Sequence, residues 1–449
     1  VLREVGFAGA VAVGLGGIIG AGIFVLSGTM ITLSGIGALF AFLLTGFVAI
    51  ILALEMGELT SAMPGTTGAS YSFVDNAFGT ELGFITGITL YLSFIASISA
   101  IALGFGSYLS SMAGIHLPYV SRLFAVVLII ALMGINLKGL SKAAGVDIII
   151  VSFKVGVLIV FIIFAFLFGR FLSSNIASPI IGGVPGIFSA SVIAMFAYAG
   201  FQSIATMAPS IKGGGRTAAR AILAAVVISL VFYILVTIAM LALAPAKAYG
   251  FVADPLSFAL KSASAPSWIF YLVDFAALAA TASATLAMLI AGSQLMRQLS
   301  RDGLLPGVFG RDRGSGRPPV MAVFITALFG VIILFAGNIY IIAALSNFGV
   351  LFSYLLSGFA LIKIRRMKRH PTRHAEFLKS AGIVTKGAFN MPLYPILPVV
   401  GIVFIISFFF GFPRIALSAG IGVIIASLIA YYALREDRDE PIVRVRFFK

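Results

Sequence analysis

The chain of 449 residues has no cysteine, a single tryptophan, three histidines and only 10% charged residues. Without cysteine there is no disulfide framework and no thiolate metal site, and thiol usage says nothing about redox compartment. So few charges exclude a soluble globular protein, where about 25% of residues are charged. His116, His370 and His374 fall in predicted loops and read as solvated side chains. No Walker-type loop, no His/Cys metal spacing and no Gly-x-Ser-x-Gly is present. An enzyme is therefore not expected, nor a cofactor, nor a metal, nor an ATP-driven pump carried on this chain.

What is present is apolar: 61% of residues are hydrophobic. Runs of about 20 apolar residues are long enough to cross a bilayer. We place twelve spans at 7–31, 35–59, 80–112, 119–137, 146–170, 187–208, 219–243, 267–300, 319–336, 338–363, 394–411 and 413–434. The fold class is then all-α, a polytopic membrane protein. With the N-terminus inside, twenty-four of the 30 lysines and arginines fall on the inner side and five on the outer. The remaining one, Lys154, lies inside a span and away from its ends. That asymmetry sets the orientation, with both termini cytoplasmic, and accounts for the net charge of +15 without any nucleic acid.

Within the first span, Gly16-Gly17-Ile18-Ile19-Gly20-Ala21-Gly22 holds four glycines in seven residues. Each weakens a helix by about 1 kcal/mol relative to alanine. In a bilayer an unpaired backbone group costs several kcal/mol unless protein or a cavity satisfies it. A span that weakens its own helix there exposes backbone groups for use. Gly16 and Gly20 also form a GxxxG pair, which serves close helix packing. The sixth span is interrupted in the same way at Phe196-Ala197-Tyr198-Ala199-Gly200-Phe201-Gln202. Two glycine-interrupted spans, five apart, point to an inverted-repeat transporter with its site at mid-depth.

Lys154 lies seven residues past Asp147, about 10 Å along the fifth span. It either snorkels toward the interface or acts within the membrane. Thr281 and Ser283 in the eighth span either bond back to their own helix or line a pathway. Glu55 and Glu58 close the second span near the inner face, where they are expected to be wet. The following loop, Pro64 to Tyr71, lacks Lys and Arg and reads as packed against the protein. The basic loop from Arg365 to Asn390 reads as a topology signal attracted to anionic lipid.

Taken in order, Gly16–Phe24, Pro64-Gly65…Gly68…Tyr71 with Asn76–Gly79, Phe196–Gln202, Arg301–Pro306 and Met391–Pro395 resemble the amino acid–polyamine–organocation (APC) transporter superfamily. The likeness covers essentially the whole chain and is nearest the proton-coupled amino acid permeases and the cationic amino acid transporter-like branch. It implies a five-plus-five inverted repeat: a first repeat over 1–171 and a second over 172–366. A basic cytoplasmic loop at 367–393, accessory spans at 394–434 and a charged tail at 435–449 follow. The same arrangement serves in general accounts of broken helices and midplane sites.

The resemblance also implies the site. A substrate α-carboxylate would accept from the amides of Gly20, Ala21 and Gly22 at a half-helix N-terminus. The α-ammonium would donate to carbonyls at Ile18, Ile19, Phe196, Ala197 and Ala199. Phe196 and Tyr198 would close over the ligand, and Ala199, Gly200 and Gln202 would sense its side chain. Lys154 would stand in the place of a coupling sodium, near Thr281 and Ser283, and carry the proton. Gln202 and Pro209-Ser210 stand where relatives often carry acids, so a neutral amino acid is expected. The function implied is proton-coupled amino acid symport by alternating access in the plasma membrane, the inner membrane of a prokaryote. An obligate exchanger of amino acids or polyamines is one alternative. An amino-acid-binding membrane receptor is another, with little cytoplasmic mass to signal through. The partners are then an amino acid, a proton and membrane lipid.

Overall fold

The structure is a computed structural model. It describes residues 5–63, 70–115, 117, 119–138, 144–169, 180–201, 204, 211–311, 318–370, 375–380, 382–384 and 389–436. Gln202, Pro209-Ser210, the Pro64–Ala69 stretch and the tail from 437 lie outside these residues.

Everything regular among them is helical, apart from one isolated bridge between Val5 and Ile211. In chain order the helices are α1 (Phe7–Ile18), α2 (Ala21–Ser34), α3 (Gly37–Ala62), α4 (Ser70–Phe78), α5 (Thr80–Met112), α6 (Val120–Leu137), α7 (Ala144–Phe168) and α8 (Gly183–Tyr198). They continue as α9 (Gly214–Leu243), α10 (Pro255–Ser262), α11 (Ser267–Arg301), α12 (Val320–Ile333), α13 (Ile339–Arg369), α14 (Ala375–Ser380), α15 (Ile396–Phe409) and α16 (Arg414–Glu436).

Among the described residues nine helices are long and apolar enough to cross a membrane, and α1 with α2 make a tenth span broken by a 46° bend. The apolar helices α12 and α15, of 14 residues each, are shorter. This is a polytopic membrane protein.

The buried α5 lies at the centre, against α11 and α13 on one side and α2, α4 and α6 on others. The broken pair α1–α2 and the interrupted α8 pack on each other, with α3 and α9 behind them. Polar side chains fix α8 in the core. Asn347 Nδ2 of α13 donates to Val192 O at 2.8 Å, and Thr45 Oγ1 of α3 to Ser191 O at 3.1 Å. In a membrane interior with little hydrophobic drive between helices, such bonds and close packing hold neighbours together.

One expectation is corrected here. Glu55 and Glu58 are not wet: both are 1% exposed. Burial of Glu58 is tolerated because Arg365 binds it through both oxygens, at 2.7 and 2.8 Å, and the Met391 amide adds a third donor at 2.7 Å. A carboxylate taken out of water needs donors of this kind. The described parts of the basic loop also pack on the protein. Val384 N donates to Ala62 O at 2.8 Å and Phe389 N to Ser61 Oγ at 2.7 Å, strapping the loop over the end of α3.

Candidate substrate and coupling site

The site begins with backbone. The helix α1 stops at Ile18, and α2 restarts at Ala21 with Gly20 at its N-cap. Across the break, Ile19 N reaches Leu15 O and Gly20 N reaches Ile18 O, both at 2.7 Å. No side chain caps α2. A helix leaves the amides of its first turn without intrahelical acceptors, with the positive end of the dipole behind them. Ala21 and Gly22 occupy that turn.

The second interruption faces the first. At Tyr198 α8 gives way to a short 3₁₀ turn over Ala199–Phe201. A Cβ placed on Gly22 would lie 2.5 Å from Ala197 Cα, and one on Gly200 would lie 2.0 Å from the Gly17 carbonyl carbon. The two breaks interlock at main-chain contact, and glycine is what permits the approach. The GxxxG reading is therefore half right: Gly16 does serve packing, against Val151 of α7, where a Cβ would come within 2.6 Å of a methyl group.

Tyr233 of α9 joins the breaks. Its hydroxyl oxygen lies 2.6 Å from Ile18 O and 2.8 Å from Ala197 O, fully buried. A phenol has one proton to give. Shared between two carbonyls, it cannot satisfy both, and of the two Ile18 O also accepts from Gly20 N, which leaves Ala197 O the less satisfied. An ammonium, with three donors, matches what is left.

Tyr198 points away from that spot. It is buried, its ring packs with Phe42 and Tyr233 at centroid distances of 6.5 and 5.2 Å, and its hydroxyl donates to Phe42 O at 3.2 Å. It acts in the packing behind the site rather than as a lid. Phe196, Ala199 and Gly200 are only partly buried, so of the two expected gate residues Phe196 has the free face.

Lys154 does not snorkel. It is 2% exposed, and Nζ donates to Gly16 O at 2.8 Å, one turn before the break. Thr281 Oγ1 donates back to Ala277 O at 2.6 Å, with Leu278 O at 3.1 Å, and Thr285 Oγ1 donates to Thr281 O. The hydroxyl protons are thus turned onto the helix, and the Thr281 oxygen faces any partner as an acceptor. Ser283 is partly buried on the same helix, which packs along α7.

Reading the sequence missed Tyr233. Its only signal was a lone hydroxyl-bearing ring in a long apolar run, which looks the same whether it packs or bonds. It also missed the tie between Tyr71 and Asp302, whose hydroxyl and carboxylate are 2.8 Å apart.

A helical membrane protein whose two broken spans meet at exposed main-chain groups, beside a buried lysine, has the architecture of a secondary transporter. A family model described as amino acid permease matches residues 5–434, and the chain belongs to that family. It is a transporter, not an enzyme. The chain is 30% identical to the branched-chain amino acid permease BcaP of Lactococcus lactis over 96% of this chain and 94% of that protein. It is 27% identical to BcaP of Bacillus subtilis, over 90% and 86% of the two chains. The methylthioribose transporter of the same organism is 27% identical over 94% and 91%.

Proposed function

We propose that this permease carries a neutral amino acid together with a proton by alternating access, from outside the plasma membrane inward. Twelve spans arranged as a five-plus-five inverted repeat, 1–171 and 172–366, with 394–434 accessory and both termini cytoplasmic, give the frame. The one-sided distribution of basic residues supports that orientation.

The carboxylate sits at the start of α2 on the amides of Gly20, Ala21 and Gly22. The ammonium takes the acceptor capacity that Tyr233 leaves on Ala197 O, with the Ile18, Ile19, Phe196 and Ala199 carbonyls beside it. Phe196 closes the site, Ala199 and Gly200 face the substrate side chain, and Gln202, which follows them in sequence, is assigned to sense it. Nothing cationic is expected in that side chain, because Gln202 supplies no counter-charge. Relatives named as branched-chain permeases fit a neutral, apolar substrate.

The observation that carries the coupling reading is the Lys154–Gly16 bond. A charged ammonium donor holds the end of α1 in place, from a helix that packs along the helix of Thr281 and Ser283. Loss of the proton turns a charge-assisted bond into an ordinary one, roughly half as strong. The break is then freer to move.

The test is uptake of labelled branched-chain amino acids into proteoliposomes, with and without an inward proton gradient, for wild type and Lys154→Ala. Accumulation driven by the gradient and lost in the variant, with exchange retained, is the expected outcome. Identical behaviour of the two proteins would remove Lys154 from coupling and favour an obligate exchanger. Binding without any flux would favour a receptor.

A further inference from the structure

Glu55 of α3 is the second acid that the sequence placed in water, and it has none of the partners that Glu58 has. The residue is 1% exposed, and among the described residues neither carboxyl oxygen has a hydrogen-bond partner. Its surroundings are glycine backbone. A Cβ on Gly401 of α15 would stand 3.1 Å from Oε1, and one on Gly358 of α13 would stand 3.4 Å from Oε2. Ile51 and Ile402 line the same glycines. The socket lies seven residues from the end of α3, about 10 Å along the helix.

The charges near it are already committed. One turn on, Glu58 holds Arg365 through both oxygens, and Arg365 also donates to Met391 O and lies over the Tyr394 ring. Also on α13, Lys363 lies over the Phe78 ring, Arg366 and Arg369 are exposed, and Lys368 is placed to act on Glu58 and Arg365. The helices α2, α8 and α15, which also pack against α3, carry no Asp, Glu, Lys, Arg or His. On α9, Arg220 is exposed at the helix start, Arg216 lies earlier still, and Tyr233 is bonded at the breaks. The nearest charge to Glu55 is therefore another carboxylate.

An ionised carboxylate with no donor and no cation in a dry interior is so costly that such a group neutralises instead. A like charge one turn away adds to that cost. The neutral acid fits a socket of glycine backbone and isoleucine without a counter-ion.

We propose that Glu55 is a proton-binding site, separate from Lys154, at the junction of α3, α13 and α15. In the arrangement seen here the side chain is a carboxylic acid. If the junction opens to water, the acid becomes a carboxylate and the proton passes to solvent at the basic end of the molecule. This site is independent of the coupling reading for Lys154, and either can fail alone.

The test is infrared spectroscopy of the full chain in lipid nanodiscs at neutral pH, comparing wild type with Glu55→Gln. A carbonyl band of a protonated acid, present in wild type and lost in the variant, is expected. Loss of a carboxylate band instead, or no difference in the acid region, would overturn the proposal. Glutamine matches the neutral acid in shape and charge. Failure of Glu55→Gln to fold would therefore also count against it, since only an ionised glutamate would be missed. A second measurement is reaction with a hydrophobic carbodiimide, which modifies protonated carboxyls, followed by peptide mass spectrometry. An adduct at Glu55 with Glu58 spared is expected, and an adduct at Glu58 with Glu55 spared would overturn the assignment.

Discussion

Tyr71 and Asp302, 231 positions apart, are joined by a hydrogen bond of 2.8 Å from the phenol to Oδ2. Tyr71 lies in the first turn of the short helix that follows the second span, and Asp302 caps the long helix of the eighth. Gln298 Nε2 holds the same carboxylate at 3.1 Å, so the acceptor is fixed before the phenol reaches it. A hydrogen bond to a charged group contributes about 1.5–3 kcal/mol, which makes this tie strong enough to bias a conformational equilibrium.

Tyr71→Phe should therefore loosen the inner side of the molecule. The natural absence of cysteine makes the measurement direct, because one introduced thiol reports alone. Ser300→Cys, near the end of the same long helix and 8% exposed, should react faster with a soluble maleimide when combined with Tyr71→Phe, by about 10-fold for a bond of this class. Equal rates would show that the tie does not hold this side closed.

Tyr233→Phe keeps the ring and its packing on Phe42 at 5.0 Å and Tyr198 at 5.2 Å, and removes only the hydroxyl. Ala197 O then loses this donor, while Ile18 O keeps the Gly20 amide. An unmet buried group costs about 1–3 kcal/mol, so kcat/KM for uptake should fall by roughly 5- to 150-fold. Thermal stability should fall less than transport does, if the carbonyls matter chiefly for holding substrate. Initial-rate uptake and unfolding of the same purified preparation measure both.

Gly200→Ala tests the interlock of the two breaks. Its methyl would meet the Gly17 carbonyl carbon at 2.0 Å, and backbone must move to admit it. Overpacking of this kind costs about 1–3 kcal/mol. Uptake should be lost even in protein that still purifies as a folded species. Gly156→Ala is the control: a Cβ there meets nothing within 4 Å, in the middle of α7. It should leave uptake intact and stabilise the helix by up to about 1 kcal/mol.

The contrast between these glycines explains what the sequence could and could not show. Hydropathy is one-dimensional, so the long spans and both interruptions were legible: α5 and α11 begin where the apolar runs begin. The glycine clusters at Gly16–Gly22 and Ala199-Gly200 also marked the breaks correctly, since few other reasons exist for so much glycine inside an apolar run. Partners distant in the chain were not legible. Tyr233 sits among valines and isoleucines whose spacing is the same whether its hydroxyl meets lipid or a carbonyl. Glu55 and Glu58 looked solvated because position along a span gives depth and says nothing of what stands beside it. Arg365, over three hundred residues away, decides the state of Glu58.

That ion pair supplies the last expectation. Arg365 binds Glu58 through two parallel bonds, with the acid 1% and the arginine 15% exposed. Removing one partner of a buried pair strands the other charge, at about 3–5 kcal/mol, whereas replacing both with neutral groups is often close to neutral. Arg365 is not wholly buried, so the lower end of that range applies. Arg365→Met alone should lower the midpoint of thermal unfolding sharply. It strands Glu58 beside Lys368, which can recover only part of the loss. Glu58→Gln combined with Arg365→Met should restore most of the stability, because glutamine still accepts from the Met391 amide that now bonds Oε2 at 2.7 Å. A double variant no more stable than Arg365→Met would mean that the arginine acts through its contacts with Met391 O and the Tyr394 ring, and that the charge pair contributes little.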